Sequence, residues 1–340
     1  MPIQRLLALL CALALFAAAC GDDGESVASE SDSSESSTDD QQTDEGAADD
    51  EMSDEAEAQV AAPSAEASSY FPVTIESDGG TWTLESAPGR IVSLSPTATE
   101  ILFAIGAGDQ IVAVDSYSYF PEQAPVTDLS GFDPNVEALI AFEPDFVVIS
   151  NDANDLVASL TELDIPVLVS SAPADIEGGY ETMAELGVAT GHVDQTATVI
   201  AGLRDEIAAA FAGAPDTDVR VYHELGDSLF SASSFGFVGS VYAEMGASNI
   251  ADEADADKTG FPQLTEEYII AADPELIVIT DQVGYTADDL AARPGWSEVA
   301  AVKSGNIVTV NADIASRWGP RLPQFIQAVA DAAAAMPVGS

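Results

Sequence analysis

The sequence predicts an α/β protein made of two Rossmann-like lobes with parallel sheets, joined by a single long α-helix. Three observations predict it. The first is an internal repeat: residues 135–150, NVEALIAFEPDFVVIS, return without a gap as residues 265–280, TEEYIIAADPELIVIT. The second is what each copy encodes. A short run with apolar residues at helical spacing stops just before an acidic residue and a proline, and a β-branched run follows that is too short and too apolar for anything but a buried strand. A helix feeding a buried strand is half of a parallel α/β unit. The third is the stretch between the copies, where two helical segments, 176–190 and 193–212, are broken only at Gly191. The second of these would be about 30 Å long, enough to hold two lobes at a fixed separation.

Composition narrows the function. The chain has 340 residues and a formal charge of −50, which argues against nucleic acid or an anionic lipid surface as a direct partner. Its two cysteines, Cys11 and Cys20, both fall in the first 20 residues, so the mature protein can carry no internal disulfide. Two histidines, His192 and His223, are little material for an imidazole-based metal site.

Residues 1–20 read as an export signal: Arg5 supplies the positive end, residues 6–16 the apolar core, and Ala17-Ala18-Ala19-Cys20 the small residues at the cleavage point. The cysteine after three alanines resembles the lipobox of bacterial lipoproteins, with alanine in place of the usual leucine at its first position. That resemblance makes Cys20 a lipid anchor to the outer face of the cytoplasmic membrane. Residues 21–69 are mostly Ser, Asp, Glu, Ala, Gln and Gly, with almost no large apolar residue and no Lys or Arg. Such a segment cannot bury enough surface to offset its chain entropy, and it is expected to be a disordered acidic tether with a contour of up to ~160 Å.

Folded sequence is expected from residue 70, with an N-terminal lobe over 70–190, the inter-lobe helix over 191–213 and a C-terminal lobe over 214–340. A hairpin turns at Asp78-Gly79-Gly80. The strand at 90–94 runs into a helix with Ser95 as N-cap and Pro96 in the first position, ended by Gly106-Ala107-Gly108. The strand at 111–114 opens onto DSYSYFP, a loop dense in aromatics. Helix over 154–163 and strand over 167–169 complete the lobe. The second lobe begins with VRVYH at 219–223, continues through a loop carrying Phe230, Phe235 and Phe237, and echoes the Gly106 turn at Met245-Gly246-Ala247. It ends with a strand at 307–310 and a helix from Pro320.

Ligands of parallel α/β sheets collect at the carboxyl ends of strands. The loops there supply Ser95, Tyr117, Tyr119, Phe132, Phe230 and Phe235, with Phe261 close by, and Asp313 and Arg317 from the last of them. Between two lobes these would line an aromatic cleft with a few polar groups, suited to a bulky, flat, partly apolar ligand. No nucleophile elbow, phosphate-binding glycine loop or metal-ligand histidine spacing is present, so a binding protein is expected and not an enzyme. Glu137 and Glu267 occupy the same position of the two repeat copies, on the first turn of each helix. An acid–base pair is disfavoured because they belong to separate lobes; a shared docking role fits the recurrence better.

The runs RIVSLSPTATEILFAIGAG, VDSYSYFP, NVEALIAFEPDFVVIS, AVKSGNIV and GPRL together resemble the helical-backbone (class III) substrate-binding proteins of metal-chelate ABC importers, over nearly all of residues 88–335. That resemblance implies capture of cobalamin, a ferric siderophore or haem, no cofactor beyond the ligand, a monomer, and one glutamate per lobe, here Glu137 and Glu267, docking into the permease dimer. Within the family the cobalamin-binding members are most similar. The resemblance puts Tyr117, Phe230, Phe261, Asp313 and Arg317 on ligand-contact positions. One tryptophan of those members is missing, with Gly131 or Phe132 in its place, and a ferric siderophore or haem stays open as the alternative ligand. A haem would take Tyr117, Tyr119 or a histidine as axial ligand, with His192 and His223 poorly placed on the inter-lobe helix and a strand end.

Overall fold

A computed structural model describes residues 70–214 and 218–336; the expected export signal, Cys20 and the acidic tether lie outside the described residues. The strands are β1 (Val73–Ser77), β2 (Gly80–Leu84), β3 (Ile91–Leu94), β4 (Ile111–Val114), β5 (Phe146–Ile149), β6 (Val167–Val169), β7 (Arg220–Glu224), β8 (Ser248–Asn249), β9 (Leu276–Thr280) and β10 (Ile307–Val310). The helices are α1 (Pro96–Ala104), α2 (Val136–Ile140), α3 (Leu156–Glu162), α4 (Ile176–Thr190), α5 (Val193–Ala212), α6 (Phe237–Glu244), α7 (Glu266–Ala272), α8 (Ala287–Ala291), α9 (Ala300–Ser304), α10 (Ala312–Ser316) and α11 (Leu322–Ala334).

β1 and β2 form an antiparallel hairpin, and the other strands form two separate parallel sheets, β4-β3-β5-β6 and β8-β7-β9-β10. Taken in chain order within each lobe, both sheets have the arrangement second, first, third, fourth. Register repeats as well: Ile91 pairs with Phe146 in the first sheet and Val221 with Leu276 in the second, at matching positions of the duplication. The sequence repeat is therefore a repeat of topology.

Each repeat copy is built by the same local devices. Asn135 caps α2 by accepting from the Ala138 N–H at 3.0 Å, and Thr265 caps α7 by accepting from the Tyr268 N–H at 3.2 Å. Glu143 and Asp273, the acids before the prolines, both take left-handed backbone (φ 48° and 50°), which ends the helix and turns the chain into the strand. An arginine at the head of β3 and another at the head of β7 then grip that turn. Arg90 donates to the carbonyls of Phe142 (2.6 Å) and Glu143 (2.9 Å), and Arg220 to the carbonyl of Asp273 (3.0 Å).

Apolar residues form three clusters. One lies on the outer side of each sheet, around Leu139, Ile149 and Leu160 in the first lobe and Ile269, Ile279 and Trp296 in the second. The third is continuous from Ile101 and Leu102 through Met183, Leu186, Leu203 and Ile207 to Val221, Tyr242 and Phe325, so both lobes share it. The 20-residue α5 is present as expected, but it does not act alone: α4 packs against it and also touches α1 and α6. The joint is a two-helix spine with a shared core.

Close approach of those two helices depends on Gly187, where a Cβ would stand 2.8 Å from the Cβ of Thr196 and collide with its hydroxyl. Gly187→Ala should destabilise the protein by about 1–3 kcal/mol through overpacking, read as a lowered urea midpoint; an unchanged midpoint would mean that the helices can part freely.

His223, in β7, is buried and joined through Nδ1 to the Tyr242 hydroxyl at 2.7 Å, while its Nε2 has no partner. Burial holds its pKa down at about 4, against about 6.5 for a free histidine. The unfolded chain thus takes up a proton before the folded one does. Stability from this group is complete above about pH 6.5 and is lost as pH falls towards 4. Denaturation midpoints followed across that window should fall less steeply in His223→Gln than in the wild type; parallel curves would refute the assignment.

Candidate functional site

The loops at the carboxyl ends of the two sheets meet. Tyr119, after β4, donates its hydroxyl to the Asp313 carboxylate of α10 at 2.7 Å, and Arg317, after α10, reaches the carbonyl of Tyr117 at 3.3 Å. Several large aromatics near this junction face solvent: Tyr117 at 54 %, Phe132 at 56 % and Tyr119 at 48 % from the first lobe, Phe261 at 47 % and Phe235 from the second. Aromatic surface of this extent in loops is not core packing.

Tyr117 and Phe132 meet edge to face, ring centroids 5.5 Å apart. Asp115 beneath them is buried, accepts from the Tyr117 N–H at 2.9 Å, and has its pKa raised by that burial. Gly131 lies so close to Leu94 that a Cβ would stand 2.6 Å from its carbonyl oxygen. No tryptophan could occupy that position, and Phe132 supplies the exposed ring. In the second lobe Lys258 stands 4.8 Å over the ring of Phe235. Phe230 is only partly exposed, since its strand-like pairing with Gln263 ties it to the loop that carries Phe261.

One expectation needs correction. Ser95 is 1 % exposed and its hydroxyl caps α1 by accepting from the Ala98 N–H, so it is a structural cap and not a ligand contact. Asp313 and Arg317, expected as polar contacts to the ligand, are buried and bonded to each other at 2.8 Å. Their network has a member that sequence reasoning missed. Glu100, in α1 and 3 % exposed, accepts from Arg317 at 2.6 Å and from the Nε and Nη2 of Arg321 at 2.8 and 2.6 Å. Arg321 in turn lies 4.0 Å over the ring of Phe120. Glu100, the lone charged residue of α1, was the available signal, because a buried charge requires partners.

Glu137 and Glu267 are exposed, each on the first turn of its capped helix. Neither histidine joins the aromatic loops: His192 precedes α5 with its ring Nδ1 3.1 Å from the Thr190 carbonyl, and His223 is in the core.

Residues 91–314 match the model of a family described as periplasmic binding protein. The chain belongs to the periplasmic binding protein family. As a member, this binding protein captures and delivers a solute for an ABC transporter and is not an enzyme. Among curated relatives it is similar to the "cobalamin-binding protein" of Halobacterium salinarum (34 % identical, covering 79 % of this chain and 76 % of the relative). It is also similar to an uncharacterised ABC transporter substrate-binding lipoprotein of Bacillus subtilis (28 % identical, covering 80 % and 89 %). Among solved structures, a periplasmic heme-binding protein from Roseiflexus sp. RS-1 superposes with a TM-score of 0.62 at 25 % identity, covering 72 % of this chain and 98 % of that one. The two-lobed fold of this binding protein is thus a shared one, and no described helix is long and apolar enough to cross a membrane.

Proposed function

We propose that this binding protein captures cobalamin outside the cytoplasm and hands it to an ABC importer. What carries the reading is the set of exposed rings, Tyr117, Phe132, Phe235 and Phe261, contributed by both lobes at the ends of their sheets. Such a set offers flat apolar contact to a macrocycle. The likeness to a relative named for cobalamin supports the choice of ligand. Lobes that share a core and a two-helix spine would close little on binding. Delivery would use Glu137 and Glu267 as paired contacts to basic pockets on the permease dimer, and the protein would act as a monomer held to the membrane by lipid on Cys20. The likeness to a lipoprotein supports that anchor. We expect no cofactor besides the captured ligand.

Titration of the mature protein with cyanocobalamin, haemin and a ferric hydroxamate, followed by calorimetry and visible spectra, tests the ligand. Saturable binding of cyanocobalamin alone is the expected result. Saturable binding of haemin with a shifted Soret band and none of cyanocobalamin would overturn it in favour of the second reading, which the heme-binding neighbour favours and in which Tyr117 is the axial ligand.

A further inference from the structure

Beneath the aromatic rings lies a cluster of four charged side chains from both lobes. Glu100 comes from α1 of the first lobe; Asp313, Arg317 and Arg321 come from the second. Arg317 bonds to Glu100 and Asp313, and Arg321 bonds twice to Glu100. The formal charges cancel, two against two. Asp115, buried nearby and facing Arg317, adds a further carboxyl group. Two further cations lie near the aromatic loops: Arg293 is matched by the buried Glu224, and Lys258 is exposed and follows a run containing Asp252, Glu253, Asp255 and Asp257. The floor therefore offers a guest two guanidiniums whose charge is already matched, in a protein of formal charge −50.

We infer that Glu100 is the specificity-determining residue of this cleft: by neutralising Arg317 and Arg321 it selects chelates whose rim is uncharged, decorated with amides or esters, and rejects those carrying free carboxylates. The inference rests on the proposed function only in placing the ligand among these rings. Its physical basis is the cost of bringing an anion into a water-poor site without an unmatched cation to receive it. Were Glu100 absent, one arginine would be left without its counter-charge and would become that receptor. Glu100 touches no ligand in this scheme; it acts through the two arginines.

The test compares guests that differ in charge alone. Cyanocobalamin and its monocarboxylic acid, in which one side-chain amide is hydrolysed, share the same macrocycle; haemin and its dimethyl ester are the matching pair if the wild type takes haem. The wild type should prefer the uncharged member of the pair. Glu100→Gln should shift that preference towards the carboxylate roughly tenfold, the effect of one charge several ångströms away at an intermediate effective dielectric. Arg321→Gln should shift it the opposite way. Combining E100Q with R321Q restores a net charge of zero and should return the preference to within about threefold of the wild type, a rescue that loss of structure could not produce. If E100Q melts near room temperature, Arg321→Gln alone decides the matter. A preference unmoved by either single variant, or a double variant as shifted as E100Q, overturns the inference while leaving cobalamin binding intact. A wild type that takes neither macrocycle overturns the proposed function, and this inference with it.

Discussion

Replacing either Glu137 or Glu267 by arginine should abolish cobalamin uptake while leaving the affinity of the purified protein for its ligand unchanged. Both carboxylates are exposed, at the second residue of helices capped by Asn135 and Thr265. They touch neither the aromatic rings nor the four-charge cluster, so a binding assay should not register the change. On a permease, each would enter a basic pocket, where reversal places like charges together. Such a juxtaposition costs several kcal/mol, enough to lose productive docking. Uptake by cells or by permease in proteoliposomes, measured beside calorimetric affinity, separates the two effects. Uptake near the wild-type rate in both variants would remove the docking role. A collapse of ligand affinity would place these residues in the binding site instead. Arg90 and Arg220 give the arrangement its rigidity by holding the carbonyls that end each helix.

Arg293→Met should be among the most destabilising single changes in the folded unit. Glu224, at the cleft end of β7, has a fully buried side chain, and Arg293 binds both its oxygens at 2.7 and 2.8 Å. Tyr222 and Tyr285 donate to the same carboxylate, and the guanidinium lies 4.8 Å over the Tyr285 ring and 4.9 Å over that of Trp296. Burial and the neighbouring carboxylate push the Tyr285 phenol up, and Glu224 holds the guanidinium firmly protonated. Removing Arg293 leaves a carboxylate in the core with two hydroxyl donors and no counter-charge, a loss of about 3–5 kcal/mol. Glu224→Gln placed on top of Arg293→Met removes the stranded charge and should recover a good part of it. Urea denaturation of the two variants gives both numbers. An Arg293→Met cost under about 1 kcal/mol would show that water reaches Glu224 and that the pair behaves as a surface one. The cluster also underlies the loop of Phe230, whose carbonyl accepts from the Leu225 N–H, so the destabilised variant should bind ligand more weakly as well.

Much of the fold was legible because its determinants are local. Ser95-Pro96 marked the start of α1, Gly191 separated α4 from α5, and the acid–proline pairs at Glu143 and Asp273 marked where helix gives way to strand. Each depends on a backbone preference carried by one or two residues, and those act the same way in any tertiary setting. The helix expected over 154–163 is shorter, Leu156–Glu162, because Asn154 and Asp155 adopt left-handed backbone that periodicity does not reveal. The exposed rings Tyr117, Phe132 and Phe261 were legible too, since large aromatics in polar loops have no core to fill.

The polar half of the site was less so. Ser95 was assigned to the ligand as well as to the cap of α1, yet it is buried under that cap, and Asp313 and Arg317 were assigned as ligand contacts with no sign that they also bond to each other. Glu100 escaped notice because its partners stand 217 and 221 residues away in the chain, as Tyr119 stands 194 from Asp313. By itself the sequence determined a duplicated α/β lobe, a spine between the copies and one exposed glutamate on each, because repeat, cap and period are written within a few residues. Only the tertiary structure decided which charges are matched across the lobes, because a buried carboxylate takes its meaning from whichever cations the folded chain brings within 3 Å, and no local pattern specifies them.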